Sequence, residues 1–479
     1  MPRQAQQSDS DPRQPGAVIS LRIEDINHEG QGIGHSDGLT VFVEQTVPGD
    51  RVEAVIERRH PRYATARLSR LLEPSGQRIE PDCPVAAECG GCTMQAVRYD
   101  AQLQYKQQQV ENALNRIGHL SLAKGILQPI AGMEDPWHYR SKAQFPVAGS
   151  WEHPQIGFYA SRSHEVVDST VCRIQYPVVD AIRETVRHHI RTWRIDPYRE
   201  LDGQGLFRHL IVRLGYATGD IMVIFVLTGD GLPGQHELVE SLRQCVEHSP
   251  TPELPPLHLR SVWINTNRKK TNVIMGPDSQ LIDGDPWIEE EILGVRSRIS
   301  PQAFFQVNPR QTTVLYQTVM DMADLHGNEQ ILDLYCGTGS ITLQLAREAG
   351  WVLGIESHPA AIADARINAE LNGMTHIEFT AGRTEDMLPA WLEQGVSIDL
   401  VVLDPPRKGC EPAVIDALIK LQAPRIIYVS CNPATLARDL ALLHHDGYQV
   451  QRVQPVDMFP WTGHVETVVL MSRNEAGKA

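Results

Sequence analysis

Four groups of residues in this chain have types and spacings that could do chemistry. Cys431 stands in IIYVSCNPATLARDL (426–440). There an apolar, β-favouring run leads into Ser430, and Asn432-Pro433 opens a helical pattern with Leu436, Leu440 and Leu443 on one face. That spacing predicts strand, sharp turn and helix, with the thiol at the tip, where α/β proteins place their ligands. Asp404, in VVLDPPRKGC (401–410), is a second polar group at a strand's carboxyl end. Glu466, in FPWTGHVETVVLMSR (459–473), heads an apolar final strand. The fourth group is cysteine-rich: Cys83, Cys89 and Cys92 in DCPVAAECGGC, with Cys172 the nearest cysteine beyond them.

A Gly-rich turn supplies the pocket these groups would serve. ILDLYCGTGSITLQLA (331–346) reads as a buried strand, a turn and a helix. Gly337 and Gly339 let the backbone bend sharply and approach a ligand. The next strand, WVLGIE, ends at Glu356, placed to accept both hydroxyls of a ribose. Strand, turn, helix, strand and acid in register predict a nucleoside cofactor. The turn is not G-x-G-x-x-G, and Asp333 precedes it, which disfavours NAD. With Tyr335, the stretch resembles the S-adenosylmethionine fingerprint of Rossmann-like methyltransferases. An acid there suits the cationic methionine end of that cofactor. Cys336, inside the turn, reads as a small tolerated side chain.

The elements around these motifs sort into regions. At 479 residues the chain is too long for one core. Residues 1–16 read as a disordered tail, without the apolar core of a secretory signal. Residues 17–75 alternate short apolar runs with Gly-rich or Pro-Gly turns, predicting five strands in an OB-like barrel. Residues 99–118 read as one polar helix ending at Gly118. A mixed α+β central domain is expected over 76–298. From 299 to 475, EQILDLY, WVLGIES, IDLVVLD and RIIYVS alternate with helical patterns, predicting a parallel doubly wound α/β sheet. The absence of a secretory leader or membrane-length apolar run predicts a cytoplasmic protein with reduced cysteines. A net charge of −15 argues against indiscriminate nucleic-acid binding, yet residues 51–70 carry six arginines against two glutamates. Further basic spots are WHYRSK (137–142) and TNRKK (266–270).

DPP resembles the Asp/Asn-Pro-Pro-aromatic motif of amino-methyltransferases, but Arg407 replaces the aromatic residue that stacks on the base. An exocyclic amine needs no covalent help, whereas a pyrimidine C5 does, because it is a poor nucleophile. A thiolate adding to C6 turns the ring into an enolate whose C5 can attack a methyl sulfonium. A base must then remove the C5 proton so that the thiolate can leave. Taken singly, Cys431 is a buried structural thiol and Glu466 a strand-edge carboxylate. Together, with the cofactor turn, they supply nucleophile and base. Here the chain resembles the RNA uracil-5 methyltransferases, which make 5-methyluridine and carry SCNP, DPPR and HVE motifs. These stand at Ser430–Pro433, Asp404–Arg407 and His464–Glu466, and SPQAFFQVNPRQTTVLY (300–316) resembles the family's FFQ-x-N segment. The resemblance implies that Cys431 is the nucleophile and Glu466 the proton acceptor. Gln306 would contact cofactor or base, and Asp404, at the cofactor pocket, would bond the uracil edge.

Three thiols as close as Cys83, Cys89 and Cys92 read as metal ligands, with Cys172 as the fourth. Spacing alone leaves zinc and iron–sulfur both open. The resemblance implies a 4Fe–4S cluster, as in the ribosomal-RNA branch, and a TRAM domain for the barrel. Cys245 and Cys410 read as structural. The expectation is therefore a monomeric S-adenosylmethionine-dependent enzyme acting on 23S ribosomal RNA. The alternatives are the same chemistry on tRNA, or a non-catalytic RNA-binding iron–sulfur protein.

Overall fold

A computed structural model describes residues 14–249, 251, 253–392 and 397–473. The chain divides into two compact units, one of residues 1–109 with 459–464, the other of 110–458 with 465–479. Of the tail expected over 1–16, residues 1–13 lie outside the described residues. Gly16 is already ordered, and its N–H donates to the Ile56 carbonyl at 2.8 Å.

In the first unit, β1 (Val18–Ile26), β2 (Gly32–Ser36), β3 (Leu39–Val43), β4 (Arg51–Arg59) and β5 (Tyr63–Glu73) close into a barrel in the order β1-β2-β3-β5-β4. Closure removes the exposed edges that five short strands would otherwise present. Alternate residues point inward, so Ile19, Leu21, Ile23, Val41, Val43, Val52, Ala54, Ile56, Ala64 and Ala66 form the core. Buried Asp50 pins the barrel's lower loops. It accepts the Val47 and Ser75 N–H groups at 2.7 and 2.8 Å and pairs with Arg78 at 2.6 Å. The helix α1 (Tyr99–Arg116) follows. Its buried Gln102 accepts the Trp461 N–H at 3.0 Å, and Lys106 donates to the Phe459 carbonyl at 3.0 Å.

The second unit holds two seven-stranded sheets. One is mixed: β6 (Lys142–Gly149), β7 (Pro154–Tyr159), β8 (Val166–Asp168), β9 (Phe207–Leu214), β10 (Asp220–Leu227), β11 (His258–Thr266) and β12 (Asp278–Gly284), in the order β12-β11-β10-β9-β6-β7-β8. The helices α2 (Pro177–Trp193) and α3 (Gln235–Glu247) cover it with buried Val178, Ile182, Val186, Leu238 and Leu242. A hairpin of β13 (Ile288–Ile292) and β14 (Val295–Ile299) leads on, and α4 (Pro309–Ala323) opens the other layer, capped by the Asn308 side chain.

The second sheet contains β15 (Gln330–Leu334), β16 (Trp351–Glu356), β17 (Ile377–Ala381), β18 (Leu400–Leu403), β19 (Arg425–Ser430), β20 (Tyr448–Val456) and β21 (Glu466–Arg473). Between them run α5 (Ser340–Ala346), α6 (Pro359–Leu371), α7 (Thr384–Leu392), α8 (Pro412–Leu421) and α9 (Pro433–His445). The order β17-β16-β15-β18-β19-β21-β20 reverses between β15 and β18, the switch point at which α/β sheets open a ligand crevice. Central strands such as VVL (401–403) and IIYV (426–429) are buried on both faces, which explains their unbroken apolar runs. The sheet is not wholly parallel as expected: β21 runs antiparallel to both β19 and β20. The connection from Val456 to Glu466 holds no helix long enough for a crossover, so the chain can only double back. No helix among the described residues is long and apolar enough to cross a membrane.

Candidate active site

The cofactor turn is held from three sides. The Cys336 N–H donates to the Ile355 carbonyl at 3.1 Å, and Thr342 gives its hydroxyl to buried Asp333 at 2.5 Å. Glu356 accepts the Gly337 N–H at 3.2 Å. Tyr335, Gly337 and Gly339 are all left-handed, with φ of 64°, 56° and 79°. A Cβ on Gly339 would meet the Phe379 ring at 3.0 Å, whereas nothing lies within 4 Å of the position above Gly337. The second glycine is thus a packing requirement, and the first leaves open space over the turn. The loop bearing Gln306 lies against the turn, because Thr338 donates to the Phe304 carbonyl at 3.4 Å. Its other side is tied to β6 by the Ser141 N–H, 2.7 Å from the Val307 carbonyl. The Gln306 amide takes no hydrogen bond among the described residues.

At the switch point the strand ends bring the remaining groups together. Leu334 pairs with Leu403, so Asp404 emerges beside the cofactor turn, and its N–H donates to the Leu334 carbonyl at 3.3 Å. On the far side, Ser430 pairs with Thr467 in the antiparallel ladder of β19 and β21. That ladder ends at this pair, and Cys431 follows Ser430 as Glu466 precedes Thr467, so thiol and carboxyl stand at the same end of the two strands. Glu466 is 6% exposed. Burial, reinforced by Asp404, pushes its carboxyl up to about 8, while Arg407 pulls it back. Burial lifts the Cys431 thiol to about 11, reinforced by Glu466 and Asp404 and opposed by Arg407. Burial raises Asp404 to about 7. Asp333 also rises to about 7 through burial, against the Thr342 hydroxyl. A thiol, three carboxyls and one guanidinium thus share one crevice.

Comparisons with known proteins bear on this site. The family model described as tRNA (Uracil-5-)-methyltransferase matches residues 287–474, and the TRAM domain model matches 12–69. An uncharacterized RNA methyltransferase of Halalkalibacterium halodurans is 41% identical over 454 residues, 95% of this chain and 96% of its own. One of Listeria innocua is 40% identical over 454 residues, 95% of this chain and 97% of its own. The chain belongs to the RNA uracil-5-methyltransferase family. Among solved structures, Pyrococcus abyssi tRNA (uracil-54, C5)-methyltransferase in complex with S-adenosyl-L-homocysteine matches with a TM-score of 0.73 and 27% identity, over 95% of this chain and 100% of that one. The protein is a methyltransferase that uses S-adenosylmethionine, acts on RNA and carries a TRAM domain. The non-catalytic reading falls with this.

The methyltransferase's crevice fits that cofactor in its donor set: backbone N–H groups, a glycine turn with room above it, and acids at both strand ends. A carboxylate has about four acceptor sites. Glu356 already takes three N–H or O–H groups, from Gly337, Ser357 and His358. Accepting both ribose hydroxyls therefore requires the Ser357 hydroxyl to turn away. The Tyr335 phenol lies near Cys410, whose thiol lies 3.6 Å from the Tyr428 hydroxyl.

Sequence reasoning missed the face of α9 that supports the DPPR loop. Asn432 and Thr435 donate to the Arg407 carbonyl at 3.1 and 3.2 Å, and Arg438 donates to the Lys408 carbonyl at 3.0 Å. Buried Asp439 takes the Cys410 N–H at 2.9 Å and the Tyr428 hydroxyl at 2.7 Å. The signal was present in the spacing, since Asn432, Thr435 and Asp439 follow one another at steps of three and four residues. Cys410, read as merely structural, is the point at which that network grips the loop.

Cys83, Cys89 and Cys92 fall in the first unit, in a loop turned by the Cys89 N–H to the Val85 carbonyl at 2.9 Å, and Cys172 falls in the second. Among the described residues no set of three or more His, Cys, Asp or Glu is assembled to hold a metal ion.

The crevice has a cost in stability with a definite sign. A carboxyl raised from 4.5 unfolded to about 8 folded favours folding while protonated. That contribution is complete below pH 4.5 and is lost as pH climbs toward 8. The Glu466→Gln variant should therefore lose less thermal stability than the parent between pH 5 and pH 8, by about 1 kcal/mol or more. Parallel pH profiles by calorimetry would show that Glu466 is not strained in this way.

Proposed function

We propose that the enzyme methylates uridine C5 in 23S ribosomal RNA through a covalent adduct between Cys431 and C6 of the base. The observation that carries the reading is that Cys431 and Glu466 lie together at the end of the β19–β21 ladder, close enough for the carboxyl to raise the thiol. On this reading they serve as nucleophile and proton acceptor beside the cofactor turn. Bound S-adenosylmethionine supplies an electrophilic methyl group. Asp333, Tyr335, Gly337, Gly339, Glu356 and Gln306 hold that cofactor, with Asp404 beside it. Arg407 is the neighbouring cation that favours the Cys431 thiolate. The thiolate forms the S–C6 bond, and the C5–C6 electron pair moves onto O4, where Asp404 contacts the uracil edge. C5 takes the methyl group. Glu466, as carboxylate, then accepts the C5 proton, and the freed pair expels the thiolate and restores the ring.

The motif match to the ribosomal-RNA branch, with its barrel and four cysteines, supports that RNA as the substrate. A second reading, tRNA, is favoured by the description of the matching family model and by the Pyrococcus abyssi relative. We read the functional division as a barrel to residue 75, a central domain over 76–298 and a methyltransferase domain over 299–475, acting as a monomer in the cytoplasm.

One experiment separates these readings. RNA carrying 5-fluorouridine cannot surrender a C5 proton after methylation, so the thioether should persist. 23S ribosomal RNA made this way should leave an adduct that survives denaturation, maps to Cys431 and is absent from Cys431→Ala. Trapping of tRNA alone would replace the substrate. Normal 5-methyluridine formation by Cys431→Ala would end the covalent mechanism.

We further propose that Cys83, Cys89, Cys92 and Cys172 hold a 4Fe–4S cluster that braces the fold and has no redox step in methyl transfer. Its support is the donor set. The Gly91 N–H already points at Cys89 Sγ at 3.4 Å. Buried Gln175, three residues after Cys172, has no protein partner at either end of its amide. Anaerobically purified protein should contain iron and sulfide in equal amounts, and Cys172→Ser should lose both. Stoichiometric zinc without iron would overturn the assignment.

A further inference from the structure

The DPPR loop (404–410) carries two charged groups of the crevice, Asp404 and Arg407, yet makes few backbone bonds of its own. Among the described residues these are the Asp404 N–H on the Leu334 carbonyl and the Gly409 N–H on the Pro406 carbonyl at 2.8 Å. Further hold comes from α9 and its Asn432 cap. Asn432 and Thr435 share the Arg407 carbonyl, and the Arg438 guanidinium bridges the carbonyls of Lys408 and Cys410 at 3.0 and 3.4 Å. The fit is close enough to demand a glycine. Gly409 has a φ of 76°, and a Cβ there would meet the Arg438 guanidinium at 2.5 Å and the Asp439 carboxylate at 2.6 Å.

Asp439 is the hub of this contact. It is 1% exposed, and both its oxygens are taken. Oδ1 accepts the Arg438 Nε–H at 2.8 Å, while Oδ2 accepts the Cys410 N–H and the Tyr428 hydroxyl. An amide in its place keeps one acceptor oxygen and turns its NH2 toward one of these sets of donors. One anchor must then let go: Arg438 with the Lys408 carbonyl, or Cys410 with the end of the loop.

Three charged groups act on Cys431: Glu466 from β21, and Asp404 and Arg407 from this loop. Arg407 is the one among them that favours the thiolate. The helix that begins just after the thiol therefore also grips the backbone of the cation that serves it. We propose that Asp439 is a positioning residue, acting through Arg438 and Cys410 to fix the DPPR loop with the Arg407 guanidinium beside Cys431. The proposal rests on the reading of Cys431 as a nucleophile that must ionise, and it names what keeps the cation in place.

The test is alkylation of Cys431 in the full-length protein by iodoacetamide, a neutral reagent that Arg407 does not steer. The rate is read by mass spectrometry of the peptide carrying Cys431. Well below its pKa a thiol reacts in proportion to its thiolate fraction, so losing a cation from its side slows it about tenfold at about pH 8. Asp439→Asn should show that slowing, and Arg407→Gln should match it. The double variant should be no slower than Arg407→Gln alone, because both changes remove one effect. The sign is diagnostic. Loss of an anion, or a loosened crevice that exposes the thiol, would speed alkylation instead. If Asp439→Asn fails to fold, Thr435→Val, which takes a hydroxyl from the Arg407 carbonyl, should slow the reaction in the same direction. An unchanged or faster rate in a folded variant, or additive slowing in the double variant, would overturn the proposal. Formation of 5-methyluridine by the parent and by Cys431→Ala is followed in parallel. Activity retained by Cys431→Ala would remove the nucleophile, whereas an inactive Cys431→Ala with unaltered alkylation of Asp439→Asn would remove only the role of Asp439.

Discussion

The geometry of the candidate site depends on one strand running the wrong way. In a wholly parallel sheet, every strand would present its carboxyl end to the crevice. Because β21 is antiparallel, its amino end lies there instead, and its first residue is Glu466. The pairing of Ser430 with Thr467 then brings Cys431 and Glu466 to the same end of the ladder. A register is an all-or-none quantity, because a slip of one residue turns each side chain to the other face. The proposed nucleophile and base therefore flank a backbone ladder of six residue pairs rather than a flexible loop.

The same crowding that makes the site also strains it. Three carboxyls and a thiol are buried in one crevice: Asp404 raises Asp333, Glu466 and Cys431, and Glu466 raises Cys431 further. The relation is reciprocal. In the proposed mechanism, when the Cys431 sulfur gives its electrons to the uracil ring, the negative charge beside Glu466 moves onto the base, and the carboxyl can ionise more readily. Adduct formation would thus prepare the base for the step that ends the adduct. Asp439 and the Asn432–Thr435 face of α9 hold the DPPR loop against this repulsion, through bonds to Cys410 and to the carbonyls of Arg407 and Lys408. Strained acids supported by a satisfied polar network behind them are a common trade of stability for function.

Much of this was legible in the sequence. The strands ending at Leu334, Glu356, Leu403 and Ser430 are short, apolar and bounded by turns, and the structure has them where the pattern put them. The five barrel strands were readable for the same reason. The direction of β21 was not, because periodicity reports burial and is blind to strand polarity. The short span after Val456 was the only hint. Nor did the sequence show that Tyr335 faces Cys410 or that Asp439 serves a loop near residue 410, since both are contacts between segments far apart in the chain. The central sheet resisted ordering because its strands mix parallel and antiparallel neighbours, which no local pattern encodes.

The central claim is that Cys431 opens the reaction and Glu466 closes it. The most direct measurement follows ordinary, unfluorinated substrate RNA with Glu466→Gln and radiolabelled S-adenosylmethionine. The account predicts a complex that survives denaturation and holds RNA, protein and methyl label together, because methyl transfer proceeds and proton removal stalls. Free methylated RNA released by Glu466→Gln at the parent rate, with no such complex, would contradict it.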